Sequence, residues 1–294
     1  MGDRLNAPSV IERLRNHLDA LVGERHPQAS PDRLAQAEAY LTDRFRDLGL
    51  SVAAHEFAAL GGTYRNVVAT LPVRRNATAP PLLIGAHFDT VPGSPGADDN
   101  ASACAVLLEV ARRVASQPVN RPIQFVAFNL EEEDLLGSRA YAAGLRAADQ
   151  SIHGAIVMEC VGYARQAEGS QQRPPGVPVP VPTVANFLAV IGNDSSRSLV
   201  DAFILTTRRA VPDLPTIPLV VPGCGELLPD TRRSDHAAFW DQGWPALMLT
   251  DTANFRNPHY HEPSDTIDTL DFQFMAKIVD AVEAAAREWA EASP

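Results

Sequence analysis

Residues 82–86, Leu-Leu-Ile-Gly-Ala, form an unbroken apolar run closed on its N-terminal side by Pro80 and Pro81. A short apolar run bounded by turn formers reads as a buried strand. It delivers His87 and Asp89 at its C-terminal end, two residues apart and so on one face. A turn follows from Pro92 to Gly96, then Asp98 and Asp99, then an apolar helix from near Ala101. Ligands in open α/β sheets bind at the carboxyl ends of strands, where this cluster falls. Imidazole and carboxylate brought together there make half of a divalent-metal site.

The rest of the chain repeats that design. Residues 8–23 and 31–48 carry apolar positions at helical spacing, with Gly23 and Gly49 as stops and Pro31 in a first turn after Ser30. Residues 52–57 and 64–71 alternate like a strand pair joined through Gly61-Gly62. Strands and helices then take turns: strand 82–87, helix 101–115, strand 122–130, helix 137–147, strand 154–160. A second set follows: strand 186–191, helix 195–209, strand 217–221, helix 234–242, strand 245–250. A long amphipathic helix over 270–291 closes the series. Such alternation predicts a three-layer α/β/α fold with a central mixed, mostly parallel sheet. Residues 164–183 break the pattern with Pro, Gln and Gly, and read as an inserted loop within one domain spanning 1–294, of which 1–50 are N-terminal helices. No internal repeat is present.

Two more strand ends carry acids. The run 123–130 closes in Glu131-Glu132-Glu133-Asp134, and 154–158 delivers Glu159. Four successive acids at the mouth of a buried strand repel one another unless cations neutralise them; acids solvated at a helix start are the simpler alternative. Downstream, residues 257–266 place His259, Tyr260 and His261 in a proline-punctuated loop. Each cluster alone could be accidental; three strand ends bearing acids or His, with a His-rich loop behind them, make accident a poor explanation.

Composition narrows the partners. The 294 residues carry a net charge of −11 and are 45% hydrophobic. That length can bury one substantial core, and that charge disfavours nucleic acid and anionic membranes while suiting a cationic group such as a free amine. The N-terminus, Met-Gly-Asp-Arg-Leu-Asn, lacks the apolar core of a signal peptide, and no run reaches transmembrane length, which sets a cytoplasmic expectation. Cys104, Cys160 and Cys224 form no close pair and are expected as reduced thiols. Oligomeric state is open.

His87-Phe88-Asp89, Gly96 to Ser102, the block from Glu131-Glu132 to Gly137-Ser138, Ser234-Asp235-His236 and Tyr260-His261 resemble, in that order, the motifs of the bacterial co-catalytic two-zinc aminopeptidase family. This family includes leucine-type aminopeptidases and is related to glutamate carboxypeptidase and glutaminyl cyclase; the match runs from about residue 64 to 270. The resemblance implies two zinc ions, with cobalt or manganese as possible substitutes. It implies His87 and Glu159 on the first ion, Asp99 bridging, and Glu132 and His261 on the second. Asp89 would orient the His87 imidazole, Glu131 would be the general base, and Tyr260 would donate to the developing oxyanion or simply pack. Asp98, Glu133 and Asp134 match no required role, nor does His259. Asp235 and His236 would line the site behind Ser234, expected as a helix cap.

Glu159 departs from the Asp common at that position; one methylene longer, it still offers two oxygens. The implied substrate is a peptide or amino-acid derivative with a free N-terminus. A glutaminyl-cyclase-like single-zinc acyltransferase, a carboxypeptidase or dipeptidase on the same scaffold, and a non-catalytic binding domain are the alternatives. No Gly-x-Ser-x-Gly elbow, phosphate loop or dinucleotide fingerprint is present. Ser234-Asp235-His236 cannot form a triad, because consecutive residues do not converge.

Overall fold

A computed structural model describes residues 8–74 and 78–291. In chain order it contains α1 (Val10–Leu21), α2 (Pro31–Asp47), β1 (Ser51–Ala59), β2 (Gly62–Thr70), β3 (Leu82–His87), α3 (Ala103–Ala115), β4 (Ile123–Phe128), α4 (Leu136–Ala147) and β5 (Gly154–Glu159). Then come β6 (Leu188–Asn193), α5 (Arg197–Ala210), β7 (Thr216–Val221), α6 (His236–Asp241), β8 (Ala246–Thr250) and α7 (Phe272–Glu291). The strands form one mixed sheet in the order β1-β2-β4-β3-β5-β8-β6-β7. Its centre, β4-β3-β5-β8, is parallel; β1-β2, β2-β4 and β6-β8 pair antiparallel. The α/β/α layering expected from the sequence is therefore the observed one.

Period-two side-chain direction explains why the central strands read as solid apolar runs. Leu82, Ile84 and Ala86 of β3 enter one core with α1, α2, α3, α5 and α7, while Leu83 enters a second with Tyr141 of α4 and Phe239 and Trp240 of α6. Ile156 and Met158 of β5 take the first side, Ala155 and Val157 the second. A strand buried on both faces cannot alternate polar and apolar residues, so its ends are where polar chemistry can start.

Several boundaries differ from expectation, three of them for a definite local reason. β4 stops at Phe128 because Leu130 has a left-handed backbone, φ 58°. The third helix begins at Ala103, after residues 97–102 wind irregularly through Asp99 and Asn100. The sixth helix starts at His236, and Ser234 does not cap it; its hydroxyl is used elsewhere. Residues 164–187 form no helix or strand, and the strand expected from 186 begins at Leu188. Among the described residues no helix is long and apolar enough to cross a membrane.

One buried charge cluster ties the first core together. Glu109 of α3 accepts from Arg13 of α1 (2.8 and 2.9 Å) and from Arg112 (2.8 Å), with Arg113 at 3.2 Å. Arg113 reaches Asp280 and Glu283 of α7. Burial alone would raise the Glu109 pKa, but Arg112 and Arg13 hold it down to about 2. A depressed carboxylate stabilises the fold above its unfolded pKa, and loses that contribution as pH falls through the folded value. Glu109→Gln should therefore lower unfolding free energy by about 2 kcal/mol at pH 7, the shift being discounted for the wet outer faces of the arginines. Urea titrations should show that gap closing only as pH falls from about 4.5 toward 2.

Candidate metal centre and active site

Each donor is carried by a strand end or by the turn just beyond it. His87 closes β3, and Asp89 follows in a loop pinned by a bond from Phe88 N–H to the Phe128 carbonyl. The Asp89 carboxylate accepts from the backbone N–H groups of Glu131 and Glu132, both at 3.1 Å, and its Oδ1 lies 3.4 Å from His87 Nδ1. A single buried acid thus orients the imidazole and holds the turn that presents the two glutamates.

That turn is tight. Leu130, Asp134 and Leu135 all adopt positive φ, a region L-residues enter only when neighbours enforce it. Asn66 of β2 provides the enforcement, accepting from Asn129 N–H at 2.9 Å and donating to the Gly137 carbonyl at 2.8 Å. Gly137 is required for close approach: a Cβ there would lie 2.0 Å from the Asn129 carbonyl oxygen.

Asp99 is aimed from the opposite side. Asp265 accepts from the N–H groups of Asp98 and Asp99 at 2.9 to 3.2 Å. Asn100 bridges to the end of β5, donating to the Met158 carbonyl and accepting from Cys160 N–H. Asp98 turns away from the site to accept from Gly162 N–H and the Asn257 amide, a structural role.

The five residues expected to bind metal converge. His87 Nε2 lies 3.2 Å from Asp99 Oδ1, 3.3 Å from Glu159 Oε2 and 3.8 Å from Glu131 Oε2. His261 Nε2 lies 3.0 Å from Asp99 Oδ2 and 3.4 Å from Glu132 Oε2. None of these pairs has hydrogen-bond geometry: His87 Nε2, both Asp99 oxygens, Glu132 Oε1 and His261 Nε2 are buried without a hydrogen-bond partner, while His87 Nδ1 faces only Asp89. Buried polar atoms normally find partners. Here they face shared points, which is how ligand atoms around a cation are arranged. The nitrogen and oxygen donors, two imidazoles and several carboxylates, suit zinc.

Charge in the site follows from this crowding. Burial and the nearby Glu159 and Glu132 carboxylates raise the Glu131 pKa well above its ordinary value, against the pull of His87. Burial and Asp99 raise Glu132 to about 7. Burial opposes a charge on His261, but contacts with Asp99 and Glu132 carry it to about 10. Protons and a dication therefore compete for the same atoms.

Other residues sort differently. Ser234 donates to Glu159 Oε2 at 2.8 Å, fixing the longer acid's reach instead of capping a helix. Asp235 is buried beside the cluster, its pKa raised to about 7 by burial. His236 is turned away, donating from Nε2 to the Thr231 carbonyl and standing edge-on to Trp240. Tyr260 stacks on His261 at 3.8 Å between ring centres, and its hydroxyl accepts from Arg233 at 3.1 Å. His259 pairs with Ser264 through Nδ1 instead of joining the donors. Glu133 pairs with His26 and Asp134 with Arg139, both ahead of α4. The Cys160 thiol touches Glu159 Oε1 at 3.3 Å, and burial keeps it protonated.

A cavity of about 380 Å³ opens beside Glu159 and Tyr260. Val177, Val179 and Val181 of the Pro-rich segment wall it, Phe187, Ile191, Leu219 and Met248 form its apolar lining, and Arg233 and Leu227 stand at its rim. Leu227 is 81% exposed. Sequence reasoning missed Asn66, Asn257, Arg25 and Arg233, which belong to no local motif.

The family model of peptidase family M28 matches residues 66–199 and 225–286. The uncharacterized protein YfbL of Escherichia coli K12 is 34% identical over 295 residues, covering 94% of this chain and 86% of that one. A zinc aminopeptidase from Bacillus subtilis has a similar structure (TM-score 0.62, 26% identity, 81% of this chain), of whose length this chain spans about half (52%). The glutaminyl cyclase of Porphyromonas gingivalis shares the fold at 21% identity (TM-score 0.69, 98% of this chain, 100% of that one). The chain belongs to peptidase family M28.

The Asn66–Gly137 lock gives a direct test of how the glutamate turn is held. Gly137→Ala should cost about 3 kcal/mol of stability, because the added methyl meets backbone that cannot move independently. Thermal denaturation should report that loss, against a change within about 0.5 kcal/mol for an exposed substitution such as Asp201→Ala on α5.

Proposed function

We propose that the chain is a two-zinc aminopeptidase that releases N-terminal residues from peptides, its described residues acting as one catalytic unit. His87, Glu159 and Asp99 would hold one ion, and Asp99, Glu132 and His261 the other; cobalt or manganese could use the same donors. The observation that carries this reading is Asp99, which turns one oxygen to each imidazole, at 3.2 and 3.0 Å, with neither oxygen hydrogen-bonded.

Zinc bound there would supply Lewis acidity at the scissile carbonyl and bring the pKa of a water toward neutral. Of the three carboxylates within 4 Å of His87 Nε2, Glu131 stands off most, at 3.8 Å against 3.2 Å for Asp99 and 3.3 Å for Glu159, which favours it as the group that moves protons. It takes the proton of the attacking water and hands it to the leaving amine, a general base that becomes a general acid. Asp89 keeps the His87 ring in one tautomer and holds the Glu131 backbone while this happens. The Tyr260 hydroxyl, accepting from Arg233, keeps its own proton free to donate to the carbonyl oxygen as charge develops there. The surrounding acids favour a substrate ammonium, and the apolar cavity beside Glu159 favours an apolar first side chain. A single-zinc glutaminyl cyclase and a carboxypeptidase or dipeptidase on the same scaffold are the alternatives; the two-sided Asp99 supports the two-ion reading over the cyclase.

The test is a panel of aminoacyl p-nitroanilides with zinc-loaded protein. Leu and Phe derivatives should exceed Ala by at least about tenfold in kcat/KM. Glu131→Gln should retain zinc yet lose about 10²- to 10⁴-fold in kcat. Full zinc content with no release from any derivative, but cyclisation of an N-terminal glutaminyl peptide, would replace this reading with the cyclase one.

A further inference from the structure

Residues 23–26, between α1 and α2, run along the loop that separates His87 from Asp99. Gly23 N–H donates to the Pro95 carbonyl at 2.9 Å, and Glu24 accepts from Gly93 N–H at 3.1 Å. Arg25 N–H donates to Thr90 Oγ1 at 2.8 Å. The Arg25 side chain, only 1% exposed, then spans the loop. Its Nε donates to the Phe88 carbonyl at 2.6 Å, Nη1 to the Pro95 carbonyl at 2.9 Å, and Nη2 to the Gly96 carbonyl at 2.9 Å. Nη1 also reaches the carbonyls of Leu21 and Gly23, both at 2.7 Å, which anchors the guanidinium to the end of α1.

The loop has little other freedom. Gly96 has φ 61°, and a Cβ there would meet the Asp99 carbonyl oxygen at 2.3 Å, Thr90 Cγ2 at 2.4 Å and Arg25 Nη2 at 2.8 Å. One guanidinium therefore grips the first residue after His87 and the last residues before the Asp98–Asp99 segment. No carboxylate is hydrogen-bonded to it; every side-chain bond it makes goes to a backbone carbonyl. Placing five N–H donors in a fixed plane is what guanidinium does and ammonium cannot, since a lysine offers three donors from one point.

We propose that Arg25 is a positioning residue of the metal centre: by clamping both ends of loop 88–96 it sets the separation of His87 and Asp99, and with it the affinity for zinc. The inference rests on the metal assignment above. It also makes the N-terminal helices part of the site, although the matched family span begins only at residue 66. Arg25 touches neither substrate nor ion; it acts through the backbone of Phe88, Pro95 and Gly96.

Zinc affinity of the full chain, measured by competition with a chromophoric chelator, tests this. Outer residues that orient ligands typically contribute about 10- to 100-fold in metal affinity, and Arg25→Lys should weaken the zinc Kd by that amount. The visible absorption of the cobalt-loaded form should change with it. Ile278→Ala, a core truncation in α7, serves as a control for general loss of stability and should leave Kd unchanged. If Arg25→Lys is not recovered folded, Thr90→Val, which deletes only the acceptor for Arg25 N–H, should still weaken Kd by more than threefold. A Kd within threefold of wild type in the folded variant overturns the proposal, as does equal weakening by Ile278→Ala. Failure of the wild-type chain itself to take up zinc would instead overturn the metal assignment.

Discussion

Like charges gathered in a water-poor place set the terms for this molecule. Asp99, Glu131, Glu132 and Glu159 meet at the carboxyl end of the parallel strands with only the His87 and His261 imidazoles between them. Burial and mutual repulsion raise the Glu131 and Glu132 pKa values, so the cluster exists only because the surrounding backbone fixes it. A dication resolves that conflict more completely than protons, because it attracts every carboxylate at once. The remainder of the fold can be understood as the means of holding these groups where they would not gather unaided.

Those means are backbone-directed. Asp89 takes two N–H groups from the glutamate turn, and Asp265 takes two from the Asp98–Asp99 segment. Asn100 and Asn66 stitch the turns to β5 and β2. A carboxylate or amide on backbone donors gives directional, charge-assisted bonds that leave the functional oxygens unused. The Arg25 clamp does the same work with the sign reversed, a cation on carbonyls. Positive φ at Leu130, Asp134, Leu135, Cys160 and His261 marks where the chain is bent most sharply to serve the site.

Much of this was legible in the residues. Strands such as Leu82–His87 have one reading because an apolar run between turn formers has no other good place, and their ends announced His87, Glu131 and Glu159. Family resemblance chose Asp99 over Asp98 and His261 over His259, and supplied the division of labour. What could not be read were contacts that depend on three-dimensional closure. Arg25 carries no motif and pairs with loop carbonyls some 63 to 71 residues away. Ser234 looked like a cap, whose hydroxyl would accept from a helix N–H, but that hydroxyl points at Glu159 and donates to it. The loop character of the Pro-rich segment 164–183 marks it in the sequence as a stretch that can shape the pocket, but which of its residues wall the cavity emerges only when β6, β7 and β8 come together beside it.

The shared role of Asp99 is tested most directly by locating the ions themselves. Crystals of the zinc-loaded chain, measured on both sides of the zinc absorption edge, should give two anomalous peaks, one beside His87 and Glu159 and one beside Glu132 and His261, with Asp99 between them. A single peak in zinc-saturated crystals, with Asp99 contacting only that ion, would contradict the two-ion centre.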